Sequence, residues 1–197
     1  MKLVYPTGAT PLDPNETAGL IPNYITLQSE LNELEAKNIE NAIRWAKKSK
    51  IKDILNISFV MELHKQMFGE VWRWAGKQRS SEKSIGVMKD QISIKLNQLL
   101  KNTDHWIQYN IYSWDEIAAR FHHGLVAIHP FANGNGRHSR LMTNILLQRY
   151  EQKPFTWGQK TSSEPIEVEG AVRNEYVSSL KAADVGKIDL LLKFVRS

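Results

Sequence analysis

Apolar positions recur at three- or four-residue steps through most of the chain, the period of helices that bury one face. Leu27, Leu31, Leu34, Ile39, Ala42, Ile43 and Ala46 predict a helix over about 27–47, with one five-residue gap. "SFVMELHKQMF" predicts a second over 58–68, and Gly69 is its stop. A third is expected over about 92–102. In "SWDEIAARFHHGLVAIH", Ser113 and Glu116 make a capping-box pattern, and Ile117, Phe121, Leu125 and Ile128 form one stripe. Pro130 disfavours helical geometry at His129, so that helix ends there. Beyond a glycine turn, Leu141, Met142, Ile145 and Leu146 open another helix, and one or two short helices follow a loop at about 154–165.

Two stretches break the period. Residues 1–25 hold Pro6, Pro11, Pro14 and Pro22 and predict an extended arm, lying on the domain or loose in solvent. "VWRWAGKQRSSEKSIGVMKDQ" reads as loop, with a short hairpin near Arg79–Met88. No internal repeat is visible. The pattern as a whole predicts a mainly α fold, one helical domain over 26–197 behind the arm.

Composition narrows this little. At 197 residues and 42% apolar, the chain suits a single globular domain. No run approaches the roughly 20 apolar residues of a membrane span, and the first residues lack the apolar core of a secretory signal. Cysteine is absent, which excludes disulfides and thiolate metal sites. A cytoplasmic setting is expected. The net charge of +5 suits an anionic partner, although an ordinary basic surface fits it as well.

Candidate chemistry concentrates in "HPFANGNGRHSR", residues 129–140. A helix N-terminus offers about four unpaired N–H groups and about half a positive charge, which makes it an anion site. Gly134 and Gly136 allow positive φ and close approach of a ligand. Asn135 offers an amide to a phosphate oxygen. Arg137 and Arg140, three apart, share a helix face as two guanidinium forks. His129, entering the turn from the preceding helix, is placed to take a proton from an incoming hydroxyl. A base and a phosphate cradle separated by one loop suit phosphoryl or nucleotidyl transfer.

Other readings stay open. Arg137, Arg140, Asn144 and Gln148 would make a recognition face for helix-turn-helix DNA binding, though the 130–136 connection is long for that motif. His122 and His123 point about 100° apart on a helix, so packing or hydrogen bonding is expected of them rather than a shared metal with His129. His64 and His138 read as surface or structural residues. Trp72 and Trp74 read as loop anchors before base-stacking residues.

At the 129–140 segment the sequence resembles the Fic (Fido) family. That motif is His, any residue, Phe, any residue, an acid, Gly-Asn-Gly-Arg, two residues and Arg. His129, Phe131, Gly134, Asn135, Gly136, Arg137 and Arg140 match it. "ELHKQMF", "WRWAGKQR", "HHGLVAIHPF" and the late "RNEYVSSLKAADVGKID" extend the likeness over about 58–190, and the N-terminal part resembles the group called mobile mystery protein B. The resemblance implies a Fic-type helical domain with a helix–anion loop–helix core and a β-hairpin flap that aligns a target strand. It implies transfer of AMP from ATP, with Mg²⁺, to a Ser, Thr or Tyr hydroxyl of a target protein, self-modification included. Nucleic acid and membrane are not expected partners; a regulatory partner or a homo-oligomer is compatible.

By this resemblance His129 is the base, Gly134, Asn135 and Gly136 form the cradle with Asn135 on the α-phosphate, and Arg137 and Arg140 hold the outer phosphates. Phe131 anchors the loop from the core, and Tyr176 lines the adenine pocket. Asn133 stands where the family has its acidic metal ligand, so weaker metal binding is expected, and nucleotide binding with little turnover is an alternative. Family members also carry an inhibitory helix with Ser or Thr, three residues, Glu, then Gly or Asn. Ser29 to Glu33 has that spacing with Leu34 following, and Thr26 to Glu30 shares it. Glu33 is the candidate inhibitory residue, expected against Arg140; an ordinary helix with solvated carboxylates is the other reading.

Overall fold

The computed structural model describes residues 5–49, 51 and 53–197; residues 1–4, part of the expected arm, lie outside the described residues. Its elements are α1 (Pro14–Thr17), α2 (Gln28–Lys48), α3 (Ile57–Phe68), a short 3-10 turn at Lys89–Gln91, α4 (Ile92–Gln108), α5 (Trp114–Ile128), α6 (Asn135–Arg149), α7 (Ala171–Asp184) and α8 (Asp189–Arg196).

Local chemistry sets the boundaries. The Asn56 side chain accepts the Phe59 N–H at 2.8 Å and starts α3. Ser113 accepts the Glu116 N–H at 3.3 Å and starts α5, but the Glu116 carboxylate turns to Arg120, so only half of the expected box forms. At the end of α5, His129 is left-handed (φ 53°, ψ 60°) and Pro130 cannot continue the helix. Gly134, at φ 77°, then turns the chain into α6.

Helices α5 and α6 lie at the centre, between two apolar clusters. One joins Leu31 and Ala42 of α2, Phe59, Leu63 and Phe68 of α3, Leu96 and Leu100 of α4, and Phe121, Leu125, Met142 and Leu146 of α5 and α6. The other sets Ala118, Ala119 and Leu147 against Val172 and Tyr176 of α7 and Leu191, Phe194 and Val195 of α8. Small residues at 118 and 119 let α8 approach α5 closely.

The arm is not wholly extended. Pro14–Thr17 makes one helical turn, with Pro14 at its first position and Glu16 returning a carboxylate oxygen to the Asp13 N–H at 2.8 Å. The expected hairpin is absent: Arg79–Met88 contains no strand among the described residues, where the only β-bridge joins Leu20 to Trp72. The reason lies in where the loop spends its backbone groups. The amides of Arg79 and Val87 donate to the carbonyls of Pro130 (2.9 Å) and Ile128 (3.3 Å). The Arg79 guanidinium takes the carbonyls of Ser81 (2.8 Å), Val87 and His129 (2.7 Å). A buried arginine thus replaces cross-strand pairing and ties the loop to the end of α5.

Candidate active site

The site is the loop from His129 to Gly134 and the first two turns of α6. Its rigidity starts with Phe131, which is fully buried and stacks on His64 with ring centroids 3.6 Å apart. Truncating so buried a phenylalanine costs about 3–5 kcal/mol. His64 Nδ1 accepts the Gly76 N–H at 2.9 Å, so its Nε2 carries the proton and donates to the Asn133 carbonyl at 3.1 Å. Burial, first, and the neighbouring His138 hold the His64 pKa well below the ordinary histidine range. His138 is also buried, with Nε2 donating to the Val60 carbonyl at 3.0 Å. Both histidines are structural, as expected of them, and neither lies on the surface.

Asn135 corrects an expectation. Its side-chain oxygen accepts the Phe131 N–H and its amide donates to the Phe131 carbonyl, both at 2.9 Å. The side chain is consumed inside the loop, which leaves residue 135 only its backbone N–H to offer a ligand. Gly136 corrects another. It has helical φ, because α6 has already begun, and of the two glycines of the turn Gly134 alone has positive φ. A Cβ on Gly134 would lie 2.6 Å from Phe68 Cε2, so that glycine is demanded by packing. A Cβ on Gly136 would meet Arg140 Nη1 at 3.7 Å and Tyr176 Oη at 4.0 Å, ordinary contacts. The protein itself does not need a glycine there.

His129 is 6% exposed, and its Nε2 lies 3.2 Å from the Thr10 hydroxyl. Burial, followed by the cations Arg79 and Lys83, lowers its pKa to about 4, partly offset by the Val126 carbonyl. It is therefore neutral at pH 7. Its Nδ1 is buried without a hydrogen bond of ordinary geometry. With the proton on Nδ1, the Nε2 lone pair faces the hydroxyl.

The two arginines share the start of α6 but turn to different carboxylates. Arg137 Nη1 meets Glu35 Oε2 at 2.6 Å, and the other oxygen of Glu35 accepts Trp72 Nε1 at 2.6 Å. Arg140 pairs with Glu167, in the loop before α7. This overturns the expected contact of Glu33 with Arg140. On α2 the buried residues are Leu31, Glu35, Asn38 and Ala42, so Glu33, two residues from Glu35, falls on the solvent face. Glu30 accepts the N–H groups of Thr26 and Leu27 at 2.9 and 3.0 Å and caps α2.

Asn133 also departs from expectation. Its oxygen accepts the Gly134 N–H at 2.6 Å and its amide donates to the Thr10 carbonyl at 3.3 Å. Its neutral oxygen, already accepting one N–H, offers a divalent cation less than a carboxylate would, and no cluster of three His, Cys, Asp or Glu suited to a metal occurs among the described residues.

Tyr176 is a core residue. Its hydroxyl lies 3.0 Å from His122 Nε2, its ring packs on Phe194, and Arg140 sits over it at 5.7 Å. His123 meets Asp184 at 2.7 Å. Trp72 and Trp74 stack at 5.0 Å and anchor the chain after α3 to α2 and the arm. The helix-turn-helix alternative loses its recognition face, since Arg140 is buried against Glu167 and Asn144 brackets the Phe155 backbone.

Residues 54–147 match the Fic/DOC family. The chain is 28% identical over 166 residues to the protein adenylyltransferase Fic of Drosophila grimshawi, covering 82% of this chain and 32% of that one. It superposes on Fic-1 (residues 134–508) of C. elegans with a TM-score of 0.68 at 25% identity, over 92% of this chain and 52% of that one. The BepC protein of Bartonella tribocorum, solved with bound AMPPNP, shares the fold at 17% identity and a TM-score of 0.65, over 93% and 97%. The chain spans about a third of the length of the first curated relatives it matches. Phe131 locked by His64 and Asn135, the glycine turn into α6 and the two arginines beyond it thus lie within the stretch, residues 54–147, that matches the Fic/DOC family.

Proposed function

We propose that this chain is a protein adenylyltransferase that moves AMP from ATP to a serine, threonine or tyrosine hydroxyl of a target protein. One observation carries it. No protein contact requires a glycine at 136, on the first turn of α6, where a Cβ would meet Arg140 and Tyr176 only at ordinary distance and Arg137 stands on the same turn. A glycine inside a helix costs about 0.5–1 kcal/mol relative to alanine, so its return is sought in a ligand.

The first-turn N–H groups of Asn135, Gly136 and Arg137 have no intrahelical acceptor and receive the α-phosphate. Arg137 and Arg140 exchange Glu35 and Glu167 for the outer phosphates. Each guanidinium trades one anion for another, so neither is left buried and unpaired. Neutral His129 takes the hydroxyl proton at Nε2 as the oxygen attacks the α-phosphorus and pyrophosphate leaves. A Mg²⁺ accompanying the nucleotide would be held largely by the phosphates, with Asn133 offering only a neutral amide oxygen. ATP and a target protein are the partners, in a cytoplasmic setting; Tyr176 reaches the nucleotide only through Arg140.

Nucleotide binding with little turnover is the second reading, favoured by Asn133 and by the ion pairs on both arginines. ATP labelled at the α- or the γ-phosphate, given to wild type and His129→Ala with lysate as acceptor, separates the two. Label retained only from the α-position, and only with His129, is the expected result. Label from the γ-position means kinase-like chemistry, and ATP binding without any label means a scaffold.

A further inference from the structure

The arm before α1 crosses the site, and it is gripped by its main chain. Arg173 Nε, from α7, donates to the Thr7 carbonyl at 2.6 Å. Asn133 Nδ2, from the anion loop, donates to the Thr10 carbonyl at 3.3 Å. Lys83 Nζ, from the 79–88 loop, donates to the Pro11 carbonyl at 3.1 Å. Bonds to carbonyls ignore side-chain identity, which is how a protein holds an extended peptide. Glu169 fixes the upstream end, accepting the Thr7 N–H at 2.6 Å and its hydroxyl at 2.8 Å.

Thr10 lies inside this grip. It is 6% exposed, and its Oγ1 is 3.2 Å from His129 Nε2. A valine fills the same volume, so the hydroxyl is the part that the geometry singles out. It occupies the position from which a general base takes a proton, about 2.6–3.2 Å between heavy atoms.

We propose that Thr10 is an intramolecular acceptor, a site on this chain's own arm to which AMP is transferred. This rests on the adenylyltransferase reading above. The Thr10 proton passes to His129 Nε2 and Thr10 Oγ bonds to the α-phosphorus of ATP. The bond from that phosphorus to the bridging oxygen breaks, and pyrophosphate leaves. The imidazolium then returns its proton to solvent, leaving AMP on Thr10 as a phosphodiester. Because base and acceptor share one chain, the rate per molecule does not depend on protein concentration.

The test incubates the full chain with α-labelled ATP and locates the label by peptide mass spectrometry. AMP on the peptide holding Thr10, at a rate unchanged on dilution, is expected. Thr10→Ser keeps that label, and Thr10→Ala and His129→Ala lose it. A mixture of His129→Ala chains, which retain Thr10, with Thr10→Ala chains, which retain the base, leaves residue 10 unlabelled if transfer is within one chain. Label at Thr10 in that mixture overturns the intramolecular step. Label on lysate proteins or elsewhere on this chain, but never at Thr10, overturns the acceptor assignment and leaves AMP transfer standing. An α-label on no protein overturns both.

Discussion

Glu35 and Arg137 are joined at 2.6 Å across α2 and α6, and the same carboxylate holds Trp72 with its second oxygen. Glu35 is 7% exposed, whereas the Arg137 side chain keeps about a quarter of its surface. Glu35→Gln preserves an oxygen for Trp72 and removes the charge. Losing one partner of a buried pair costs about 3–5 kcal/mol, and less here because Arg137 reaches water, so a loss of about 1–3 kcal/mol is expected. Freed from its carboxylate, Arg137 binds phosphate better; ATP affinity should rise about tenfold, or about 1.4 kcal/mol. Glu33→Gln, on the solvent face, should change neither. Calorimetric titration with ATP and thermal unfolding measure both, and equal ATP affinity in wild type and Glu35→Gln would contradict the exchange of partners.

The two glycines of the turn should respond in opposite ways to alanine. Gly136→Ala meets only ordinary contacts and improves the helix, so the fold gains about 0.5–1 kcal/mol while AMP transfer falls. Gly134→Ala forces a left-handed residue, costing about 1–2 kcal/mol, and drives a methyl against the Phe68 ring. It should lose stability and activity together. Unfolding midpoints beside transfer rates decide this; a Gly136→Ala chain at full activity would remove the case that its space serves a ligand.

How far the chain announces these relationships depends on range. Helices were legible where period and caps agree: the turns at Asn56, Ser113 and Gly134 are set by neighbours a few residues away. The motif was legible because seven residues in order serve one loop. The partners of its charged groups were not, since Glu35 and Glu167 come from elements 102 and 27 residues away. One signal did exist. Glu35 falls in the stripe Leu31, Asn38 and Ala42, and a lone acid on a buried face asks for a cation. The hairpin failed because Arg79, which read as a strand end, is a buried staple whose acceptors are mostly backbone carbonyls, one of them on the other side of α5 and α4 in sequence. Asn135 read as a ligand because an amide suits a phosphate as well as a peptide group.

Asn133→Asp restores a carboxylate at the one motif position that lacks it. An aspartate oxygen can still accept the Gly134 N–H, but the bond to the Thr10 carbonyl is lost. That costs about 0.5–1.5 kcal/mol of stability. The concentration of Mg²⁺ giving half-maximal transfer should fall. Unchanged or lower transfer across a Mg²⁺ titration would show that residue 133 does not limit metal use.

Acid should unfold this protein through its buried histidines. Burial is the first cause of all four shifts: His64 is held well below 6.5, His122 is lowered to about 3, and His129 and His138 to about 4. Between about pH 6.5 and 4 the unfolded chain therefore binds more protons than the folded one. Stability is fully present above 6.5 and is lost as pH falls through that window, at up to about 1.4 kcal/mol per pH unit for each group. His138→Gln removes one titrating ring while a glutamine amide can still reach the Val60 carbonyl. Denaturant unfolding at pH 7, 6 and 5 should show a steep loss in wild type and a shallower one in His138→Gln. Carboxylates are common to both chains, so equal slopes would move the acid sensitivity away from the histidines and onto them.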